Sequence, residues 1–280
     1  MTCWMIRLGK RRKKESSIED EGFQTMRTIA PWTSCHTSWN PPSETLALGI
    51  DEVHVWRARL DQEPSRVQSL LSTLSTDERE RADRFHFQRD REHFIIARGA
   101  LRAILGRYLQ RDATRVRFYY GPHGKPALAN ESEDNAFRFN ISHSHERALY
   151  AITRGREIGV DLERVRPILN VEEIAQRFFS QRETAALRAL PPETRTRAFF
   201  ACWTRKEAYI KARAEGLSFP LDKFDVSLAP GEPAALLSAP EDPQEASRWT
   251  LLELEPGPGY VAALAVEGNG WRLACWDWEC

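Results

Sequence analysis

Four short stretches of this chain carry side chains whose types and spacing suit chemistry on a phosphate. In Gly159-Val160-Asp161-Leu162-Glu163 two carboxylates stand two residues apart. On a strand such residues face the same side, with Cα atoms about 6.5–7 Å apart. Val160 and Leu162 would then turn to the core. Two carboxylates on one face can hold a hard divalent cation, and Mg²⁺ commonly accompanies phosphate substrates. In Trp203-Thr204-Arg205-Lys206-Glu207-Ala208-Tyr209-Ile210-Lys211, Glu207 and Lys211 are four apart and so are neighbours on a helix. Phe199, Trp203 and Ile210 form the adjoining apolar stripe, which sets the pair at the rim of a buried face. In Gly124-Lys125-Pro126-Ala127-Leu128 a glycine-rich turn presents a lysine, which suits an anion. Phe139-Asn140-Ile141-Ser142-His143-Ser144 ends an apolar strand in hydrogen-bonding groups. Each stretch alone also reads as ordinary structure: a solvated acidic pair, a surface ion pair, a polar loop.

The elements that must position these residues follow from periodicity. Val53, Val55 and Trp56 fit a strand. Ser75 with Glu78 three residues later reads as a capping box that opens an arginine-rich helix. Phe94, Ala97, Leu101, Ile104 and Tyr108 make one face of a long helix that starts near Asp90. Strands are expected at Val116–Tyr120, Phe137–Ile141, Ala148–Ile152 and Ile158–Leu162, with Gly121-Pro122-His123-Gly124 as a break. Val171–Phe179 marks a helix, and Ser180 to Glu183 caps the next one. A long helix runs from Glu193 to Ala214 behind Pro191-Pro192. Strands follow at Phe224–Leu228, Trp249–Leu254, Tyr260–Val266 and Leu273–Trp276. Strands and helices do not alternate strictly, so the class is α+β. Two similar halves are expected, each with a long helix packed on a small, mainly antiparallel sheet.

Composition narrows the class further. The 280 residues hold 40 Lys+Arg against 40 Asp+Glu, with pI near 7.1 and 41% apolar residues. That balance supplies a core and argues against a general nucleic-acid binder or a disordered chain. The five cysteines, Cys3, Cys35, Cys202, Cys275 and Cys280, show no metal-ligand spacing, so a reducing, cytoplasmic setting is expected. There is no apolar run of signal-peptide or membrane-span length, and no membrane is expected. No methionine follows Met26. Residues 1–47 lack periodicity and read as a disordered N-terminal extension, or as a start assigned too far upstream. The basic run Lys10–Lys14 within them reads as a solvated tail. Residues 48–154 are then the N-terminal half, and 155–280 the C-terminal half with the acidic motifs.

In order and combination, G-K-P-A-L, F-N-I-S-H-S, G-V-D-L-E and W-T-R-K-E-A-Y-I-K resemble the motifs of the surfactin-type (Sfp-type) 4′-phosphopantetheinyl transferases. The resemblance spans roughly residues 50–228. It implies a monomeric pseudodimer of two α+β halves with coenzyme A bound at their seam. It also implies Mg²⁺-dependent transfer of phosphopantetheine to a serine of an apo acyl or peptidyl carrier protein, which leaves adenosine 3′,5′-bisphosphate. By motif, Asp161, Glu163 and Glu207 would hold Mg²⁺, and Lys211 would contact the transferring phosphate. Lys125, Ser142 and His143 would contact coenzyme A, and Arg81 would meet its 3′-phosphate. Glu207 is the expected base, with Glu163 next. Leu162, between the strand carboxylates, cannot be a ligand. A catalytically silent relative that binds coenzyme A or a carrier is the other reading. One departure stands out: the relatives' K-x-x-G-x-G-L is here Lys211-Ala212-Arg213-Ala214-Glu215-Gly216-Leu217, with Ala214 in place of the first glycine.

Overall fold

The computed structural model describes residues 37–43, 46–121, 124–129, 137–214, 219–239, 242 and 244–278, all within one compact unit, Thr33–Cys280. The expectations for residues 1–36, for Pro122 and His123, and for Glu215–Leu217 fall outside them.

The chain forms β1 (Trp39–Asn40), β2 (Glu52–Arg59), α1 (Pro64–Thr73), α2 (Thr76–Asp83), α3 (Gln88–Leu109), β3 (Phe118–Tyr120), β4 (Pro126–Leu128), β5 (Phe137–Ser144), β6 (Arg147–Arg154) and β7 (Ile158–Arg164). It continues with α4 (Val171–Phe178), α5 (Gln181–Ala189), α6 (Pro192–Arg213), β8 (Asp225–Val226), β9 (Leu236–Ser238), α7 (Glu245–Arg248), β10 (Trp249–Leu254), β11 (Tyr260–Glu267) and β12 (Arg272–Asp277). The expected α+β class is what folds.

A five-stranded sheet runs in the order β1-β12-β2-β6-β5, and a three-stranded sheet in the order β10-β11-β7. Both faces of β2 are buried. Trp56 and Ala58 pack with Ile95, Ile96, Leu101 and Ile104 of α3. Val53 and Val55 join Val160, Leu162, Ala262 and Leu264 of the smaller sheet. Helix α6 covers the far face of β7 and β11. The order of layers is helix, sheet, sheet, helix.

Two expectations change. The two stretches expected as halves exchange a strand: β12, near the end of 155–280, pairs in parallel with β2, so the larger sheet is mixed. Order also begins before Leu48. Trp39–Asn40 pairs in parallel with β12, and the Trp39 indole N–H donates to the Glu255 carbonyl at 2.6 Å. The Arg57 guanidinium stacks over the Trp39 ring at 4.6 Å. A tryptophan that buries its ring under a cation and pairs its N–H is fastened to the body, although no periodicity announced it.

Both capping boxes form and acquire buried partners. Glu78 accepts from the Ser75 N–H at 3.2 Å and from the buried Arg102 Nε at 2.6 Å. Glu183 accepts from the Ser180 N–H at 2.9 Å, and its other oxygen pairs with the buried Lys206 at 2.8 Å.

Candidate active site

Strand β7 sits between sheet and helix, and its alternation sorts its side chains. Val160 and Leu162 enter the apolar core between the sheets. Gly159, Asp161 and Glu163 face the other way, toward α6. The glycine is there because the two backbones nearly touch: a Cβ at position 159 would lie 2.0 Å from the Ala208 carbonyl oxygen and 2.4 Å from the Ala212 nitrogen. That closeness brings Glu207 and Lys211, which flank Ala208 and Ala212 on α6, over the strand carboxylates.

Lys211 does not pair with Glu207, its neighbour on the helix. Its Nζ lies 2.5 Å from Asp161 Oδ1 and also reaches Ser142 Oγ at 3.2 Å and the Val160 carbonyl at 3.3 Å. Glu207 and Asp161 are buried, at 7% and 4% exposure, and the Lys211 side chain is 13% exposed. Burial works against charge on Lys211, but Asp161, Glu207 and Glu163 outweigh it and raise its pKa. Burial first, then the negative charge of Asp161, pushes Glu207 up to about 7, with Lys211 opposing and Glu163 adding. Asp161 Oδ2 and Glu207 Oε1 are buried and have no hydrogen-bond partner.

Among the described residues no three His, Cys, Asp or Glu side chains form a ready-made metal cluster. Like-charged carboxylates repel when no cation lies between them. The donor set nevertheless fits a hard cation: the two bare oxygens are carboxylate, buried, and lie on facing elements.

The other expected residues divide. Lys125 reaches this seam, but its ammonium donates to the Lys211 carbonyl at 2.8 Å and the Ile158 carbonyl at 3.3 Å. It therefore sits at the carbonyl end of α6, where a cation is favoured. Burial lowers its pKa, against the pull of Glu157. Ser142 meets Asp161 at 2.9 Å, whereas His143, one residue on, points to the opposite face of β5 and is exposed. Arg81 makes no contact with this group; its guanidinium lies 5.4 Å from the centre of the Phe94 ring. Asn140 and Ser144 were not singled out as site residues, yet their side chains also reach β7, at Val160 N and Arg164 N. Their two-residue spacing from Ser142 is the signal that could have found them.

Ala214 takes φ 57° and ψ 16°, a left-handed conformation that closes α6.

Residues 157–265 match the model of the 4′-phosphopantetheinyl transferase superfamily, and residues 58–153 match that of the 4′-phosphopantetheinyl transferase N-terminal region. The chain is 45% identical over 243 residues to the 4′-phosphopantetheinyl transferase HetI of Nostoc sp., an alignment covering 87% of this chain and 99% of that protein. It is 32% identical over 199 residues to the 4′-phosphopantetheinyl transferase Sfp of Bacillus subtilis, covering 71% and 84%. It is also 30% identical over 177 residues to the L-aminoadipate-semialdehyde dehydrogenase-phosphopantetheinyl transferase of Homo sapiens, covering 60% and 57%. The chain belongs to the 4′-phosphopantetheinyl transferase family, as its motifs implied. No helix among the described residues is long and apolar enough to cross a membrane.

Proposed function

We propose that this phosphopantetheinyl transferase moves 4′-phosphopantetheine from coenzyme A to a serine hydroxyl of an apo acyl or peptidyl carrier protein, with Mg²⁺, in the cytoplasm and as a monomer. The serine oxygen bonds to the phosphorus that carries the pantetheine. The bond from that phosphorus to the bridging oxygen breaks, and adenosine 3′,5′-bisphosphate leaves. The serine proton passes to a base.

The observation that carries the site is the pair of bare buried oxygens, Asp161 Oδ2 and Glu207 Oε1, beside the Lys211 ammonium. Asp161, Glu163 and Glu207 would hold Mg²⁺, which when bound supplies positive charge against the pyrophosphate and its leaving group. Lys211 adds a second fixed cation, and such transfer depends chiefly on positioning and charge neutralisation. Glu207 is favoured as the base over Glu163 because its Oε1 is buried with no hydrogen-bond partner. Lys125, His143 and Arg81 are assigned to coenzyme A on their motif positions.

The test is mass spectrometry of an apo carrier incubated with this protein, coenzyme A and Mg²⁺. The carrier should gain one phosphopantetheine, and chelation of the metal should stop the reaction. Glu207→Gln should slow transfer by roughly 10²–10³-fold. A Gln variant as fast as the wild type would remove Glu207 from the mechanism. Coenzyme A binding without transfer to any carrier would instead mark a silent relative.

A further inference from the structure

The free edge of β7 raises an accounting question. One edge of the strand pairs with β11. The other runs beside β5 in the same direction, yet the two are not joined by backbone hydrogen bonds. Buried N–H and C=O groups must find partners, and here they find side chains. The N–H groups of Val160, Leu162 and Arg164 donate to Asn140 Oδ1 at 2.9 Å, Ser142 Oγ at 3.2 Å and Ser144 Oγ at 3.1 Å. The carbonyls of Ile158 and Val160 accept from Lys125 and Lys211, each at 3.3 Å. A ladder of side chains thus replaces a missing strand along the seam.

The two serines do a second thing. Ser142 Oγ donates to Asp161 Oδ1 at 2.9 Å, and Ser144 Oγ donates to Glu163 Oε2 at 3.0 Å. Each serine therefore grips β7 twice, at a carboxylate and at the N–H of the following residue. A serine hydroxyl has one proton to donate and two lone pairs. Ser142 donates to Asp161 and accepts from Leu162 N and Lys211 Nζ, so its hydroxyl is fully engaged. The Ser144 proton is likewise directed at Glu163. Both serines are buried, at 6% exposure each.

We infer that Ser142 and Ser144 are positioning residues that lock the rotamers of Asp161 and Glu163, so that the strand carboxylates present their outer oxygens to the divalent cation. This rests on the cation site proposed above. Asp161 shows the consequence directly: one oxygen is held by Ser142 and Lys211, and the other is bare and buried. Hydrogen-bonding groups behind metal ligands commonly matter 10–100-fold in affinity (roughly). The arrangement also accounts for the two-residue spacing of Asn140, Ser142 and Ser144, because only residues on the face of β5 toward β7 can serve.

The experiment is Mn²⁺ binding to the full-length protein, followed by electron paramagnetic resonance with and without coenzyme A, for the wild type, Ser144→Ala, Ser142→Ala and Ser144→Thr. Steady-state KM for coenzyme A at saturating Mg²⁺ and circular dichroism accompany it. Each alanine variant should weaken Mn²⁺ binding by roughly 10-fold, with KM for coenzyme A within about twofold of wild type and the folded spectrum retained. Ser144→Thr, which keeps the hydroxyl, should recover most of the Mn²⁺ affinity. Unchanged Mn²⁺ affinity with a raised KM would make the serines substrate contacts and overturn the inference. Unchanged Mn²⁺ affinity with lowered thermal stability alone would reduce them to seam structure and overturn it as well. If alanine at both positions unfolds the protein, Ser144→Thr decides: a folded Thr variant that binds Mn²⁺ no more weakly than wild type supports the inference, and one that has lost binding refutes it. A wild type that binds no Mn²⁺ retracts the cation site itself, whereas wild-type binding matched by folded alanine variants retracts only the positioning role.

Discussion

Helices α3 and α6 are both 22 residues long, and each lies on one sheet, but they bury different things. Helix α3 presents Ile95, Ile96, Ala100, Leu101 and Ile104 to its sheet, with Arg98 and Arg102 as its buried charges. Helix α6 buries an unbroken polar run, Thr204-Arg205-Lys206-Glu207. Arg205 is held by the Ser227 carbonyl at 2.6 Å and Glu253 at 2.9 Å. Lys206 is held by Glu183 at 2.8 Å and the Phe224 carbonyl at 2.5 Å. Glu207 keeps an oxygen with no partner. Burial of charge is therefore not in itself the sign of a site on this helix. A partnered buried charge ties segments together, whereas Asp161 and Glu207 keep buried oxygens without a hydrogen-bond partner, and these mark the site proposed above.

The two helices also approach their surroundings differently, and a methyl group tests this. Gly159→Ala would press a Cβ into the backbone of α6, which cannot give way locally. It should cost about 3 kcal/mol or more of stability, with transfer lost in the folded remainder. Gly99→Ala on α3 would meet Leu70 Cδ2 at 2.9 Å, which can rotate away, and Leu70 Cβ at 2.7 Å, which yields only if α1 shifts slightly against α3. About 1–2 kcal/mol is expected there. Denaturant unfolding of both variants measures the gap, and equal costs would erase the distinction between backbone and side-chain packing.

Acid should sharpen the contrast on the N-terminal side. His54 is buried, its Nδ1 is 2.7 Å from Tyr108 Oη, and that oxygen accepts from the Trp56 N–H at 2.8 Å. The Tyr108 hydroxyl keeps its own proton to offer, so His54 Nδ1 can accept from it while the imidazole is neutral. Burial lowers the His54 pKa below its ordinary 6.5, against the pull of Glu52. Above that value His54 is neutral in both folded and unfolded chains, and the contribution is intact. As pH falls below it, the unfolded chain takes up a proton that the folded one resists. Stability should drop until the depressed folded value is passed. Unfolding midpoints from pH 8 to pH 5 should decline less in His54→Gln than in the wild type. Parallel declines would clear His54 of the effect.

The smallest effect should be common to both helices. Each ends on a left-handed residue that is not glycine, Gln110 at φ 50° and Ala214 at φ 57°. Gln110→Gly and Ala214→Gly should each stabilise by about 1 kcal/mol, read as a raised thermal midpoint. A loss on either substitution would mean that the native side chain contributes more than its backbone strain costs.

Much of this was legible along the chain. The alternation that turns Asp161 and Glu163 to one side is a local property of a strand, and both capping boxes depend on four consecutive residues. The long helices were found within two residues of their bounds, because apolar periodicity over many turns is a strong signal. Trp39–Asn40 and Leu236–Ser238 were not legible, because such short strands exist only through the partners they meet. The exchange of β12 into the larger sheet was hidden for the same reason: pairing with β2 is a contact across about 220 residues.

Glu207 and Lys211 mark the boundary between the two kinds of knowledge. The residue types, their spacing and the order of the motifs were determined by the sequence alone, and they sufficed for the family and its chemistry. That Lys211 turns from its helix neighbour to Asp161, and that Lys125 caps α6, depend on a backbone approach that Gly159 permits but does not announce. That Ser142 and Ser144 hold the strand carboxylates depends on β5 lying beside β7. Local propensity sets which way a side chain leaves its own element; only the packed molecule sets what it meets there.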